Sequence, residues 1–177
     1  TLKAEGLNAA TEYLYLVAGF DMNEGLYVVT EVTDGSFVTE EPASSGLTFD
    51  ISVTDIEQIR AAILITPSDL TEKFCWMVQP YDGTSSAEEV MNEIVAANKM
   101  WFDMGFMLYT GVQDYTGGPD SPYKFKLDTP DTEYCVIAFG YAGGVTSEPV
   151  MVTFRTLPGD DPADCTFDVV LDKTATY

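Results

Sequence analysis

Between residues 47 and 54 apolar and polar side chains alternate, with Leu47, Phe49, Ile51 and Val53 set against Thr48, Asp50, Ser52 and Thr54. A period of two predicts a β-strand with one buried face and one wet face. Ala61, Ile63 and Ile65 continue as a second strand, stopped by Pro67-Ser68-Asp69. The same reasoning places strands over 74–78, 124–127, 134–141 and 149–154. Between the third and fourth strands the period changes. Ser85 or Ser86, followed three residues later by Glu88 or Glu89, has the form of a capping box. Val90, Ile94, Ala97, Trp101 and Met104 then recur every three or four residues, a stripe that predicts a helix over about 86–104. Residues 105–122 are rich in Gly, Tyr and Asp and read as a loop.

The chain also echoes itself. Thr11-Glu12-Tyr13 returns as Thr132-Glu133-Tyr134, 121 residues on, and Phe37-Val38-Thr39 as Phe154-Arg155-Thr156, 117 residues on. Thr48-Phe49-Asp50 returns as Thr166-Phe167-Asp168, 118 residues on. Three echoes in one order at nearly one period predict a tandem repeat of roughly 120 residues. On this reading 1–42 is the back part of one sandwich repeat and 43–158 a complete repeat with a helical insertion at 84–122. Residues 159–177 open a further repeat. Pro42 and Pro158-Gly159 fall at the seams. The outer pieces would each leave strand edges unpaired. Residues 13–20 and 165–171 are therefore expected to meet, within the chain or between chains. A chain that begins at Thr1 is expected to be a processed product or an excised piece.

Composition narrows the function classes. With 46% hydrophobic and 12% aromatic residues the chain can build a proper core. Eight basic against 29 acidic residues give a net charge of −21, which disfavours nucleic acid and anionic lipid as partners. No run reaches the ~20 apolar residues of a membrane helix. With no histidine there is no Ser-His or Cys-His triad, and a structural zinc site is excluded. Phosphate-loop, dinucleotide and nucleophile-elbow motifs do not occur. Carboxylate pairs are too abundant for any one to mark a glycosidase. No enzyme activity and no cofactor is expected.

The residues Leu7, Thr11 and Tyr13 resemble the Leu-x-Pro-x-Thr-x-Tyr corner of fibronectin type III domains, and Phe154-Arg155-Thr156 resembles the Phe-x-Thr that ends them. The resemblance implies an all-β protein of tandem fibronectin type III/Ig-like sandwich repeats. The helical insertion then falls between strands C and C′, and the corner tyrosines Tyr13 and Tyr134 lock their loops by bonding to backbone. In the second copy the span from Leu127 to Tyr134 is one residue longer, which predicts a looser corner, and the usual Trp of the second strand is missing. The acidic, Thr- and Tyr-rich style is similar to that of tandem modules in surface lipoproteins of gut Bacteroidetes. The resemblance implies adhesion, spacing or ligand binding at a cell surface or outside the cell, and seldom catalysis.

The corner also sets strand parity. With Tyr134 inward, Val136 and Ala138 face the sandwich core, leaving Cys135, Ile137, Phe139 and Tyr141 on the other face. A face so apolar needs a cover. The expected cover is the inserted helix, packing Val90, Ile94, Ala97, Trp101 and Met104 onto Cys135, Ile137 and Phe139; the alternative is an open partner surface. Cys75 shares that face and is expected within cross-strand reach of Cys135, where a disulfide is one outcome. Cys165 aligns with Leu47 and reads as a small buried hydrophobe. Tyr109, Tyr115 and Tyr123, with Asp114, are the candidate residues for binding a glycan or protein ligand, since flat rings lose little entropy on binding. Trp101 and Phe102 read rather as core. Asp160, Asp161 and Asp164, and the turn from Asp21 to Gly25, offer oxygen ligands to calcium, with a solvated acidic turn as the plainer reading.

Overall fold

A computed structural model describes residues 3–4, 7, 9–21, 27–28, 30–119, 121–160 and 166–168. In chain order its elements are β1 (Glu12–Val17), β2 (Phe20–Asp21), β3 (Tyr27–Val28), β4 (Thr33–Val38), β5 (Phe49–Thr54), β6 (Arg60–Pro67) and β7 (Phe74–Pro80). There follow α1 (Ala87–Asp103), β8 (Gln113–Tyr115), β9 (Phe125–Lys126), β10 (Glu133–Gly140) and β11 (Val150–Arg155). The chain is thus mostly β-strands in sheets with one helix, and its larger part is built as a sandwich.

Two sheets supply the sandwich. In one, β5 pairs antiparallel with β6, whose other edge is shared by β8 and β9. In the other the order is β11-β10-β7, antiparallel throughout. The alternation predicted for the first strand holds: Leu47 and Phe49 are buried, Ile51 and Val53 are half-buried, and Thr48, Asp50, Ser52 and Thr54 are exposed. Between the sheets lie Phe49, Ile63, Ile65, Phe74, Trp76, Tyr134, Val136 and Ala138. Burying side chains of this size contributes ~1.5–3 kcal/mol each, so this layer dominates the stability of residues 43–158. The strand β8 lies in the stretch expected to be loop. Its three residues carry too few alternations to announce themselves, and pairing with Ile63–Ile65 of β6 makes them a strand.

The outer face of β10 has its cover. Cys135, Ile137, Phe139 and Tyr141 are at most 1% exposed and form a second apolar layer with Val90, Met91, Ile94 and Phe102 of the helix. The helix starts at the capping box Ser86/Glu89: the Ser86 hydroxyl accepts from Glu89 N, and the Glu89 carboxylate accepts from Ser86 N (2.7 Å). Its face is not the expected one. Trp101 and Met104 are 45% and 53% exposed, and Ala97 is exposed too. At 3.6 residues per turn, the buried set Val90, Met91, Ile94, Val95 and Phe102 centres roughly 80° around the helix from the expected stripe. The twisted sheet takes a broad face with Phe102 against Tyr141 (ring centroids 4.7 Å), while Trp101 turns to the rim and meets Phe106 edge-on.

Cys75 and Cys135 share the covered face, as parity required, but not a rung. The register sets Cys75 opposite Phe139 and Cys135 opposite Gln79. The thiols are therefore four residues apart, about 13 Å along the strands, and both are free and buried. The expected reach was wrong because parity fixes a face and leaves the register open. Cys165 lies outside the described residues.

Two corners are built alike. In the first, Thr11 N donates to the Thr39 hydroxyl (3.0 Å), Thr39 N to Thr11 O (3.0 Å) and Ala10 N to Glu40 O (3.0 Å). In the second, Thr132 N donates to the Thr156 hydroxyl (2.9 Å), Thr156 N to Thr132 O (3.0 Å) and Asp131 N to Leu157 O (3.0 Å). Ala10 and Asp131 both have positive φ, 47° and 49°. Tyr13 stacks on Phe37 at 5.9 Å and 24°, and Tyr134 on Phe154 at 5.9 Å and 23°. The Tyr134 hydroxyl accepts from Thr129 N (3.1 Å), so the longer second corner is closed. The ribbon of β1 with β4, unlike that of β10 with β11, exposes both apolar faces, with Leu14 and Leu16 on one and Tyr15 and Val17 on the other. Of the expected partner segment 165–171 only 166–168 is described, and Phe167 there is exposed.

Two outcomes follow for the helix layer. Phe102→Ala is expected to cost ~3–5 kcal/mol in urea unfolding and Trp101→Ala less than about 1, reversing the order that the stripe suggests. The second concerns acid. The Asp82 carboxylate accepts from the backbone and hydroxyls of Ser85 and Thr84 just before the helix, bonds with Ser85 being the main reason its pKa lies well below the usual range. A depressed native pKa adds stability that is present above the unfolded value near 4 and lost as pH falls through the native value. Helix-layer unfolding should therefore grow easier below about pH 4. In Asp82→Asn, a pH series of circular dichroism melts should lose part of that acid dependence.

Candidate functional site

Tyr109, Tyr115, Trp76 and Phe125 come together where the sandwich opens at the free edge of β7. Each arrives by strand alternation. Trp76 points inward from β7 between Cys75 and Met77, which carry the outer layer. Tyr115 enters from β8 opposite Ile63, and Phe125 from β9 opposite Ala61. Tyr109 is held by a two-bond bridge to Phe74: Phe74 N donates to Tyr109 O (3.0 Å), and Tyr109 N to Phe74 O (2.8 Å). The Trp76 ring lies 5.3 Å from Tyr115, 5.6 Å from Phe125 and 6.0 Å from Tyr109, in tilted or edge-on contacts. Such ring pairs add about 0.5–1.5 kcal/mol each beyond their area.

Beside this cluster opens a cavity of about 230 Å³ lined by Trp76, Met77, Val78, Met107, Tyr109 and Phe125. Trp76 is 7% exposed and Tyr109 38%, so the floor is dry while one ring stands at the mouth. Burial, with smaller contributions from Tyr115 and Cys75, raises the Tyr109 pKa above its ordinary value, which keeps the phenol neutral as a donor at the rim. Trp76 Nε1 is a buried side-chain donor without a partner, a cost of about 1–3 kcal/mol held in the wall of the cavity. Among the described residues no acid or base lines the cavity besides that phenol. Cys75, behind it, is pushed up to about 12 by burial, and burial raises Cys135 as well, so neither thiol is a ready nucleophile.

The other candidate residues are elsewhere. Tyr123 is 77% exposed and borders a separate cavity of about 500 Å³ with Arg60, Lys124 and Lys126. There Lys124 Nζ is already taken by Glu57 (2.6 Å), which lowers the Glu57 pKa chiefly through that bond. Asp114 folds its own turn: its carboxylate accepts from Thr116 N (2.9 Å) and its carbonyl from the Ser121 hydroxyl. Of the calcium candidates, Asp160 accepts from the Gln58 amide (3.0 Å), and Asp161 and Asp164 lie outside the described residues, as does most of the turn from Asp21 to Gly25. Among the described residues no three or more His, Cys, Asp or Glu are grouped to hold a metal, and no helix is long and apolar enough to cross a membrane.

Sequence reasoning named Tyr109 and Tyr115 but missed Trp76, Phe125 and Met107. Phe125, alone between Lys124 and Lys126, carried a signal of facing inward. The meeting of these rings depends on the path of 104–116 across the sandwich edge, which no local pattern encodes. No protein-family model matches the chain, and no curated protein matches its sequence at a significant level.

The cluster predicts a spectroscopic outcome. In a Trp101→Phe background only Trp76 fluoresces, and its emission is expected to be blue, as for a buried indole. Adding Phe125→Ala opens the wall, shifts that emission to the red and lowers stability by ~3 kcal/mol or more in a denaturant titration.

Proposed function

We propose that the chain is a non-catalytic ligand-binding or adhesion module of an extracellular or cell-surface protein, with its ligand seat at the cleft of Trp76, Tyr109, Tyr115 and Phe125. One observation carries the reading. A dry aromatic floor with a half-exposed tyrosine at its mouth is the arrangement that binds a flat or apolar group and leaves the protein otherwise unchanged. Among the described residues the lining has no charged group and no reactive thiol, which favours binding over catalysis. A net charge of −21 suits a soluble surface outside the cell and argues against nucleic acid as the ligand. A glycan or a protein remains the expected class of ligand.

A second reading, a spacer in a tandem array of fibronectin type III-like repeats, is favoured by the matched corners. The Thr11/Thr39 and Thr132/Thr156 bonds and the Tyr13/Phe37 and Tyr134/Phe154 stacks agree to within 0.1 Å. On this reading β1 and β4 are the closing strands of a sandwich of the same design as residues 43–158. The two readings are compatible, since a spacer can carry a binding site on one repeat.

The experiment is a glycan array and a pull-down with the intact chain beside its Tyr109→Ala variant. Tyr109 is partly exposed and off the main core, so the variant should keep its melting temperature within a few degrees and lose binding at least about tenfold, or 1.4 kcal/mol. Equal binding by the two would move the ligand seat away from this cleft.

A further inference from the structure

The free edge of β7 runs along the same cleft, and its geometry says what class of ligand can complete it. Tyr81 N donates to Glu133 O (2.8 Å) beyond one end of β7, and Tyr141 N donates to Lys73 O (3.1 Å) beyond the other. Odd-numbered residues of β7 thus turn their backbone groups toward β10, and even-numbered ones turn them away. Phe74, the first of the even set, has both groups bonded to Tyr109. The bridge is antiparallel, so it is the segment before Tyr109 that passes Trp76: Met107 lines the cavity there but, among the described residues, bonds no backbone group of β7, and after Tyr109 Gln113–Tyr115 joins β6 in the opposite sheet. The N–H and C=O groups of Trp76 and Val78 consequently have no strand beside them among the described residues. Pro80, the next even residue, has no N–H to offer and closes the window.

We infer that the β7 edge at Trp76 and Val78 is a strand-addition site: it takes an extended polypeptide segment that pairs with these two residues and places one apolar side chain in the cavity beside Tyr109 and Phe125. This deepens the binding-module reading and rests on it. The occupant follows from three observations. Two donors and two acceptors at a two-residue spacing are the complement of one β-strand and of little else. The cavity borders the same residues, Trp76 and Val78, and has room for one large apolar side chain, so alternate positions of an added strand meet pocket and solvent in turn. The chain carries −21, with Asp82 and Glu133 near the Pro80 end, so the favoured segment is basic where it passes that end. The same charge opposes pairing with a second copy.

The test uses the full chain and a synthetic probe, a lysine-flanked peptide alternating threonine with valine and phenylalanine, followed by NMR amide exchange. In the free protein the Trp76 and Val78 amides should exchange much faster than those of Cys75, Met77 and Gln79. Saturating probe should slow exchange at Trp76 and Val78 by about tenfold or more and leave the odd set unchanged. The same peptide N-methylated on its pairing face, and the variant Val78→Pro, should each weaken binding about tenfold, since each removes main-chain hydrogen bonds to the added strand. Because Val78 N–H points away from β10, Val78→Pro should still fold, which circular dichroism checks. Should the variant not fold, the N-methylated peptide decides alone. Failure of the probe to bind at millimolar concentration overturns the inference. So does binding that is indifferent to N-methylation and leaves Trp76 and Val78 unprotected. A glycan or apolar ligand that needs Tyr109 but protects neither amide would also overturn it, while leaving the cleft as the binding seat.

Discussion

Strand β10 is apolar on both faces, and the rest of residues 43–158 is arranged around that fact. From Tyr134 to Tyr141 its residues are all buried, most of them fully. A strand at the surface of a sandwich would wet one face. This one has the sheet of β5 and β6 across the core on one side and a helix on the other, so the architecture has three layers. The helix is therefore no ornament on a loop. Seventeen residues of middling helix propensity would be marginal alone. They hold because Val90, Met91, Ile94 and Phe102 seal a face that water would otherwise meet.

The cover has a consequence at the edge. The stretch between β7 and β8 does not run as a strand beside β7; it crosses the outer face as a helix. When the chain returns, Met107 lines the cavity beside Trp76, the backbone bonds to β7 at Phe74 through Tyr109, and Gln113–Tyr115 then joins the other sheet. One constraint thus produces both the stability of the outer layer and the gap at Trp76 and Val78. The aromatic cluster fills that gap: with no strand on the far edge of β7 among the described residues, the rings of Tyr109, Tyr115 and Phe125 cover Trp76.

This also separates what the sequence made legible from what it did not. Parity was legible, since a period of two needs only neighbours, and it correctly assigned both faces of β10 and the outward Cys75 of β7. The helix was legible from its capping box and spacing. Its rotation was not, because Ala97, Trp101 and Met104 form as good a stripe as Met91, Val95 and Phe102, and only the partner face chooses. Register was not legible either. It is fixed by how the β7–β10 ladder ends at Lys73 and Tyr81, and so Cys75 and Cys135 share a face at four residues' distance. The candidate site was half legible: tyrosines in a Gly-rich segment stood out, whereas Trp76 and Phe125 looked like ordinary core until the path of the chain exposed one side of them.

The same constraint bears on the N-terminal ribbon. In β10 the pattern of two apolar faces is matched by two covers. In β1, whose corner repeats the Thr and backbone bonds and the ring stack of the β10 corner, Leu14, Leu16, Tyr15 and Val17 are all 45% exposed or more. A strand that reads like β10 and ends like β10 has the same need, and at ~25 cal/mol per Å² the uncovered side chains forgo several kcal/mol. A two-stranded ribbon is marginal in water on its own. If β1 and β4 close a sandwich of the proposed repeat, their stability comes from a sheet on one face and a helix on the other, and neither cover lies within β1–β4 itself. The outward face of β1, Leu14 and Leu16, would then call for an apolar helix face of the kind that Val90, Met91 and Ile94 present to β10.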